Sequence, residues 1–166
     1  MNMKIKGAAI KFGNNIDTDV ILPGKYLILV DPNELAKHAL EGLDATFPEK
    51  AKKGIILVGG KNFGCGSSRE QAPIALKYAG VKCVVAESFA RIFFRNAINI
   101  GLPVIESKEI STVELGDELA VDFEAGKIEN ISKGKKFQAD KLPAFIIEIL
   151  ADGGLIENLR RRKNKK

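Results

Sequence analysis

Tryptophan is absent from this chain, histidine occurs once and cysteine twice. The two cysteines, Cys65 and Cys83, form no CxxC pair. A zinc ion or an iron–sulfur cluster needs three or four protein ligands, so the expected metal complement of this chain is none. The lone His38 lies within "PNELAKHALEGL", an amphipathic stretch where a packed or solvated histidine is expected. A Ser-His-Asp or Cys-His site would depend on that one residue, so a self-contained hydrolase is not expected. No apolar run approaches the roughly 20 residues that cross a bilayer. The start, "MNMKIKGAAIKF", lacks the apolar core of a secretory leader, so a cytoplasmic protein without a membrane partner is expected.

The net charge of +5 is also unevenly spread. "NLRRRKNKK" at residues 158–166 carries six cations, and removing them leaves +5 − 6 = −1 for the rest. No aromatic interrupts that run, which argues against nucleic-acid stacking and for a solvated, flexible tail. The whole chain is 45% hydrophobic and 28% charged, which suits one soluble globular domain, expected over residues 1–157.

The pattern along the chain is α/β. "IKGAAIKF" alternates as a first strand, and "YLILVDP" reads as a strand or a packed loop. Asp31 and Pro32 are suited to the N-cap and first position of a helix reaching about Leu40. "GIILVGG", "VKCVVAES" and "LPVIES" read as buried strands, separated by the helices "REQAPIALKYAG" and "FARIFFRNAINIG". Such alternation implies parallel pairing. After Gly116 the pattern becomes a meander, "DELAVDFE", "KIENIS" and "KKFQADKL", so a mixed sheet with flanking helices is expected. A last helix, "PAFIIEILADGG", is expected to stop at Gly153-Gly154.

Between the second strand and its helix lies "NFGCGSSREQAP". A glycine-rich loop between a strand and a helix is an anion-binding arrangement. The residues fail the phosphate-loop pattern, since no lysine precedes the serines, and they fail GxGxxG as well. Ser67-x-x-Glu70 is also a capping box, which needs no catalytic purpose. Capping alone leaves Arg69 unexplained, because a cation in a first helical turn is opposed by the macrodipole. An anionic ligand such as a carboxylate would account for it, with the glycines permitting close approach. Cys65 reads as a small packed residue.

"GCGSSREQAP", then "SFARIFFRNAINIGLPV", with "NIDTDVILPGKYL" upstream, resembles the swivelling domain of the aconitase superfamily. The resemblance spans residues 5–155 and rests on three motifs in order. It implies a swivelling β/β/α domain of the aconitase/isopropylmalate isomerase type. At this length the chain is similar to free small subunits of that superfamily, of the isopropylmalate dehydratase and archaeal homoaconitase kinds. Such a subunit caps a large partner subunit that carries a [4Fe-4S] cluster, with no cofactor in the small chain itself and a hydroxy-acid substrate between them. By the same resemblance Ser67 is the catalytic base of a hydro-lyase that dehydrates its substrate to a cis-alkene and rehydrates it. Gly66, Ser68 and Arg69 match the positions that hold substrate carboxylate, and Asp19 matches an acidic residue of the site.

The loop Tyr26, Leu27, Ile28 and Leu29 matches the family's specificity loop, where aconitase and the archaeal homoaconitases carry an arginine for the substrate's extra carboxylate. Ile28 stands at that position. A buried isoleucine cannot pair with an anion, so an alkyl substituent such as isopropyl is expected there, as in a leucine-biosynthetic enzyme. Lys25 is near enough to serve a second anion, which keeps homoaconitate and other malate analogues in view. Gln71 stands where histidine is common. A non-catalytic carboxylate-binding module is the remaining alternative.

Overall fold

A computed structural model describes residues 2–165. One seven-stranded mixed sheet organises it, in the order β4-β3-β2-β1-β5-β6-β7. The parallel half comprises β1 (Lys4–Lys11), β2 (Ile55–Gly59), β3 (Val81–Ala86) and β4 (Val104–Glu106). All five β2 residues are buried, as expected of a β-branched run covered on both faces. Helices α4 (Gln71–Ala79) and α5 (Arg91–Asn99) join β2 to β3 and β3 to β4. Gly80 and Gly101 follow them with positive φ, the left-handed exit that glycine allows.

The antiparallel half is the expected meander. β5 (Glu118–Asp122) pairs with β1, and β6 (Lys127–Asn130) and β7 (Lys135–Gln138) follow outward. The β5 and β6 residues alternate between buried and more exposed, so one face meets the core and the other meets solvent. Between β1 and β2 come three short helices, α1 (Thr18–Ile21), α2 (Pro32–Ala36) and α3 (Phe47–Ala51). Asp31 caps α2 by accepting from Asn33 N at 2.8 Å, as expected, although α2 ends before Leu40. "YLILVDP" is a loop preceded by a 3-10 turn, not a strand.

Helix α6 (Ala144–Ala151) does not end the fold, because α7 (Leu155–Lys163) follows it. Most of the basic run expected as a solvated tail is thus helical. Arg160, Arg161, Arg162 and Lys163 sit in the last turn of α7, where the macrodipole favours them. Arg161 Nε donates to Asp152 at 2.7 Å and Arg162 pairs with Glu148 at 2.9 Å. Asn158, buried, donates to the same Asp152 carboxylate at 2.7 Å. No helix among the described residues is long and apolar enough to cross a membrane.

Candidate active site

The carboxyl ends of β1 and β2 lie side by side, so the loops leaving them meet. Those loops carry "NIDTD" and "GCGSSRE", about fifty residues apart in sequence. They are joined by backbone bonds that prolong the sheet: Gly60 N to Gly13 O at 3.0 Å, Asn15 N to Lys61 O at 2.8 Å, Gly64 N to Ile16 O at 2.7 Å and Thr18 N to Cys65 O at 2.8 Å. On its other side the second loop bonds to the segment after β3, with Phe63 N donating to Ser88 O and Ala90 N to Phe63 O. A loop stitched on both edges is a rigid platform.

Gly64 and Gly66 both have positive φ, at 81° and 93°, and turn the chain so that Gly66, Ser67 and Ser68 stand exposed. Ser67 does not cap a helix. Helix α4 begins at Gln71, and the preceding Glu70 makes no side-chain cap. The capping box is replaced by a long-range contact. Buried Thr18 donates from its hydroxyl to Ser67 O at 2.9 Å, and its Oγ1 lies 3.3 Å from Ser67 Oγ. Ser67 O also accepts from Arg69 N at 2.9 Å. Thr18 joins this arrangement without having been expected from the sequence. Its only signal was its place between the two acids of "DTD".

Arg69 precedes the helix, so the macrodipole conflict disappears. Its Nη1 donates to Asp19 Oδ1 at 2.6 Å and to Leu22 O at 3.1 Å. Asp19 Oδ1 also accepts from Gly24 N at 3.0 Å. The Arg69 bond, then the Gly24 bond, hold the Asp19 carboxyl below its usual range. Asp17 caps α1 by accepting from Val20 N at 2.9 Å, which fixes the backbone that presents Thr18 and Asp19.

The loop expected to set specificity starts beyond the far end of α1. Leu27 and Leu29 pack against the core, whereas Ile28 is 84% exposed and Val30 is 91% exposed. Ile28 is therefore not the buried residue expected from its apolar neighbours. A turn closed by Leu29 N to Tyr26 O, at 3.0 Å, directs the leucines inward and Ile28 outward. Lys25 lies over the Tyr26 ring, 5.0 Å from its centroid. Tyr26 and His38 stack with centroids 3.7 Å apart and planes 9° apart, and Glu41 accepts from both.

No group of three or more His, Cys, Asp or Glu among the described residues could hold a metal ion. Cys65 is half-buried, and Cys83 is buried with its thiol pushed up by desolvation. The residues of this chain do not fit an iron–sulfur cluster. A cavity of about 540 Å³ between α5 and α6, lined by Phe89, Phe94, Leu142 and Phe145, contains none of the site residues. The assembled chemistry is thus an open surface: a serine hydroxyl held beside a threonine, two further exposed polar positions, and an arginine steadied by an aspartate.

Comparison with known proteins bears on this surface. Residues 4–110 match the model of the aconitase C-terminal domain. The chain is 57% identical over 163 residues to the isopropylmalate/citramalate isomerase small subunit of Methanocaldococcus jannaschii, covering 98% of this chain and 97% of that one. It is 58% identical over 164 residues to the 3-isopropylmalate dehydratase small subunit of Caldicellulosiruptor bescii, covering 98% and 99%. A crystal structure of 3-isopropylmalate dehydratase from M. jannaschii superposes with a TM-score of 0.92 at 50% identity, over 97% of this chain and 96% of that one. The chain belongs to the aconitase C-terminal domain family.

Proposed function

We propose that this chain is the small subunit of a 3-isopropylmalate dehydratase, a hydro-lyase of leucine biosynthesis that interconverts 2- and 3-isopropylmalate through 2-isopropylmaleate. The observation that carries the proposal is the joining of the "DTD" and "GSSRE" loops. Buried Thr18 holds exposed Ser67, and exposed Asp19 holds half-buried Arg69, so polar groups from distant sequence are brought together on one face. Relatives of that name, more than half identical along nearly the whole chain, support the substrate assignment. A large subunit completes the site. The [4Fe-4S] cluster is assigned to that partner, where it would supply Lewis acidity; the described residues of this chain hold no group of three or more ligands for it.

In this reading Ser67 Oγ accepts the proton from substrate carbon, and the neighbouring carbon loses its hydroxyl. The hydroxyl departs as hydroxide, so the elements of one water are removed, and returning the proton and a hydroxide to the opposite carbons gives the isomer. Serine is a weak base, so its oxyanion needs nearby donors and exclusion of water. The Thr18 proton is given to Ser67 O, so Thr18 Oγ1 accepts from the Ser67 hydroxyl and fixes its place, and donors to the oxyanion come from other groups. Arg69, Ser68 and the Gly66 backbone receive the carboxylate. Ile28 stands towards the alkyl substituent. A broader range of malate analogues is the second reading, favoured by the name of the M. jannaschii relative.

The test is anaerobic reconstitution with a cluster-loaded large subunit, following the alkene by ultraviolet absorbance. Isopropylmalate, citramalate and homoaconitate are offered side by side. Turnover of isopropylmalate is expected, and Ser67→Ala should reduce kcat by about 10²-fold or more, the lower end for general-base catalysis. Its fold and its affinity for the large subunit should be unchanged, since Ser67 is exposed. Retained activity in Ser67→Ala would remove Ser67 as the base.

A further inference from the structure

We infer that Glu41 is a positioning residue for substrate selection: by holding Tyr26 and His38 together it sets where Ile28 stands and hence which substituent the site accepts. The inference rests on the proposed function, because Ile28 selects among substrates only if this face binds them.

Glu41 is half-buried and divides its carboxylate between two rings. Tyr26 Oη donates to Oε1, while His38 Nδ1 lies 2.8 Å from Oε2. The rings themselves are stacked, so the three side chains form a closed clamp in which each touches the other two. Glu41 also meets the two ionisable groups of the clamp and the Lys25 charge. Desolvation opposes its ionisation, but the Tyr26 and His38 bonds and those charges outweigh it and hold its carboxyl below the usual range. The Glu41 carboxyl is therefore ionised at neutral pH.

The position of this clamp gives it a role beyond local stability. Tyr26 is the first residue of the loop. At the other end Asp31 is fixed as the α2 N-cap. Leu40 N donates to Ile21 O at 2.8 Å, tying the turn that bears His38 and Glu41 to the end of α1, one residue after which Leu22 O receives Arg69. The segment 27–30 is thus a short span between two anchors. Its inward residues are Leu27 and Leu29, and its outward ones are Ile28 and Val30. A segment so short cannot move at one anchor without moving Ile28. Nothing in the Ser67–Thr18 or Arg69–Asp19 contacts involves the clamp, so selection and chemistry are held by separate side chains.

Three variants of the reconstituted enzyme test this: Glu41→Leu, Glu41→Gln and Tyr26→Phe, each assayed on isopropylmalate and on citramalate. Releasing the clamp should raise KM for isopropylmalate about threefold to tenfold, the effect of about one hydrogen bond. KM for citramalate, with its shorter methyl group, should move less, and kcat should stay within about twofold. Glu41→Gln keeps an acceptor for the Tyr26 hydroxyl and should recover most of the preference. A purely structural role would lower the amount of active enzyme and leave both KM values alone. Tyr26→Phe, which deletes one oxygen, covers the case in which Glu41→Leu does not fold. His38 is the only histidine, so its ring signals in the free chain are assigned at once and report whether the stack has opened. An unchanged ratio of KM values with an opened stack would overturn the inference alone, as would a changed ratio with the stack intact. Inactivity of the unmodified chain on both substrates would overturn the proposed function and this inference with it.

Discussion

Gly64 and Gly66 flank one cysteine and share the same backbone sign, yet they should respond very differently to alanine. A Cβ on Gly64 would overlap Cβ and Cγ of Phe93 and lie 2.6 Å from its Cδ2. Phe93 is 2% exposed and cannot withdraw, because its ring packs edge-on to Phe63 at 5.3 Å and parallel to Phe89 at 6.1 Å. Gly64→Ala therefore combines two costs. Left-handed backbone for an L-residue adds about 1–2 kcal/mol, and overpacking a filled core adds about 1–3 kcal/mol. The sum is about 2–5 kcal/mol. At roughly 2–4 °C per kcal/mol for a chain of this size, Tm should fall by about 4–20 °C. A Cβ on Gly66 meets Thr18 Oγ1 at 3.4 Å, Asp17 Cβ at 3.5 Å and Thr18 N at 3.8 Å, ordinary contacts, so about 1–2 kcal/mol of backbone strain remains. Its effect should fall instead on turnover, since it displaces the backbone that presents Ser67. The assay is urea unfolding of the free chain, paired with activity after reconstitution. Equal stability loss at the two positions, or a larger loss at Gly66, would falsify the packing account of the first glycine.

Ile28→Arg should shift the reconstituted enzyme towards substrates with a distal carboxylate, because at 84% exposure the new guanidinium needs no burial. Competition between isopropylmalate and homoaconitate measures it, and an unshifted ratio would show that the loop does not face substrate. Lys50, and the Thr46 hydroxyl and backbone, hold the Asp44 carboxyl at about 2 against an ordinary 3.8. A depressed carboxyl contributes stability that is present above its unfolded value and lost as pH falls through its folded one. Stability should thus decline between pH 3.8 and about 2 partly through Asp44, and Asp44→Asn should flatten that part of the acid limb in urea midpoints measured against pH. An unaltered acid limb would mean that the α3 entry is held by other contacts.

The buried strands and the meander were legible because local pattern and tertiary role coincide there. β2 is apolar at every position and is covered on both faces, and the meander alternates as a half-solvated sheet must. The "GSSRE" loop was legible as a special segment but not as a geometry. A window around Ser67 shows a local cap, whereas the group that binds it is Thr18, forty-nine residues earlier. Thr18 reaches it only because β1 and β2 are neighbours, a fact of strand order and not of either segment. Ile28 was misread for the opposite reason. Its apolar neighbours suggested burial, but a tight turn sends adjacent side chains in different directions. Helix α7 was missed because Gly153-Gly154 signals a stop equally well when it is the bend between two helices. What restarts the chain is a set of partners, Asp152 with Asn158 and Arg161, that straddles the bend.

The pairing of Arg69 with Asp19 changes what binding must accomplish at this surface. A free arginine would have to be ordered by the substrate, at a cost in side-chain entropy of about 2 kcal/mol. Here that ordering is already provided, since Nη1 is held by Asp19 and by Leu22 O. The aspartate stays ionised well below neutral pH, so the arginine keeps its orientation throughout the working range. Asp19 also cancels part of the charge that would attract a carboxylate. Water compounds that weakness, because Ser67, Ser68 and Gly66 are exposed. In high dielectric, a half-neutralised arginine and a serine hydroxyl hold an anion poorly. On the proposed reading the small subunit supplies orientation and the large subunit supplies desolvation. The free chain should therefore bind isopropylmalate weakly while already holding the Ser67, Thr18 and Arg69 geometry of the complex.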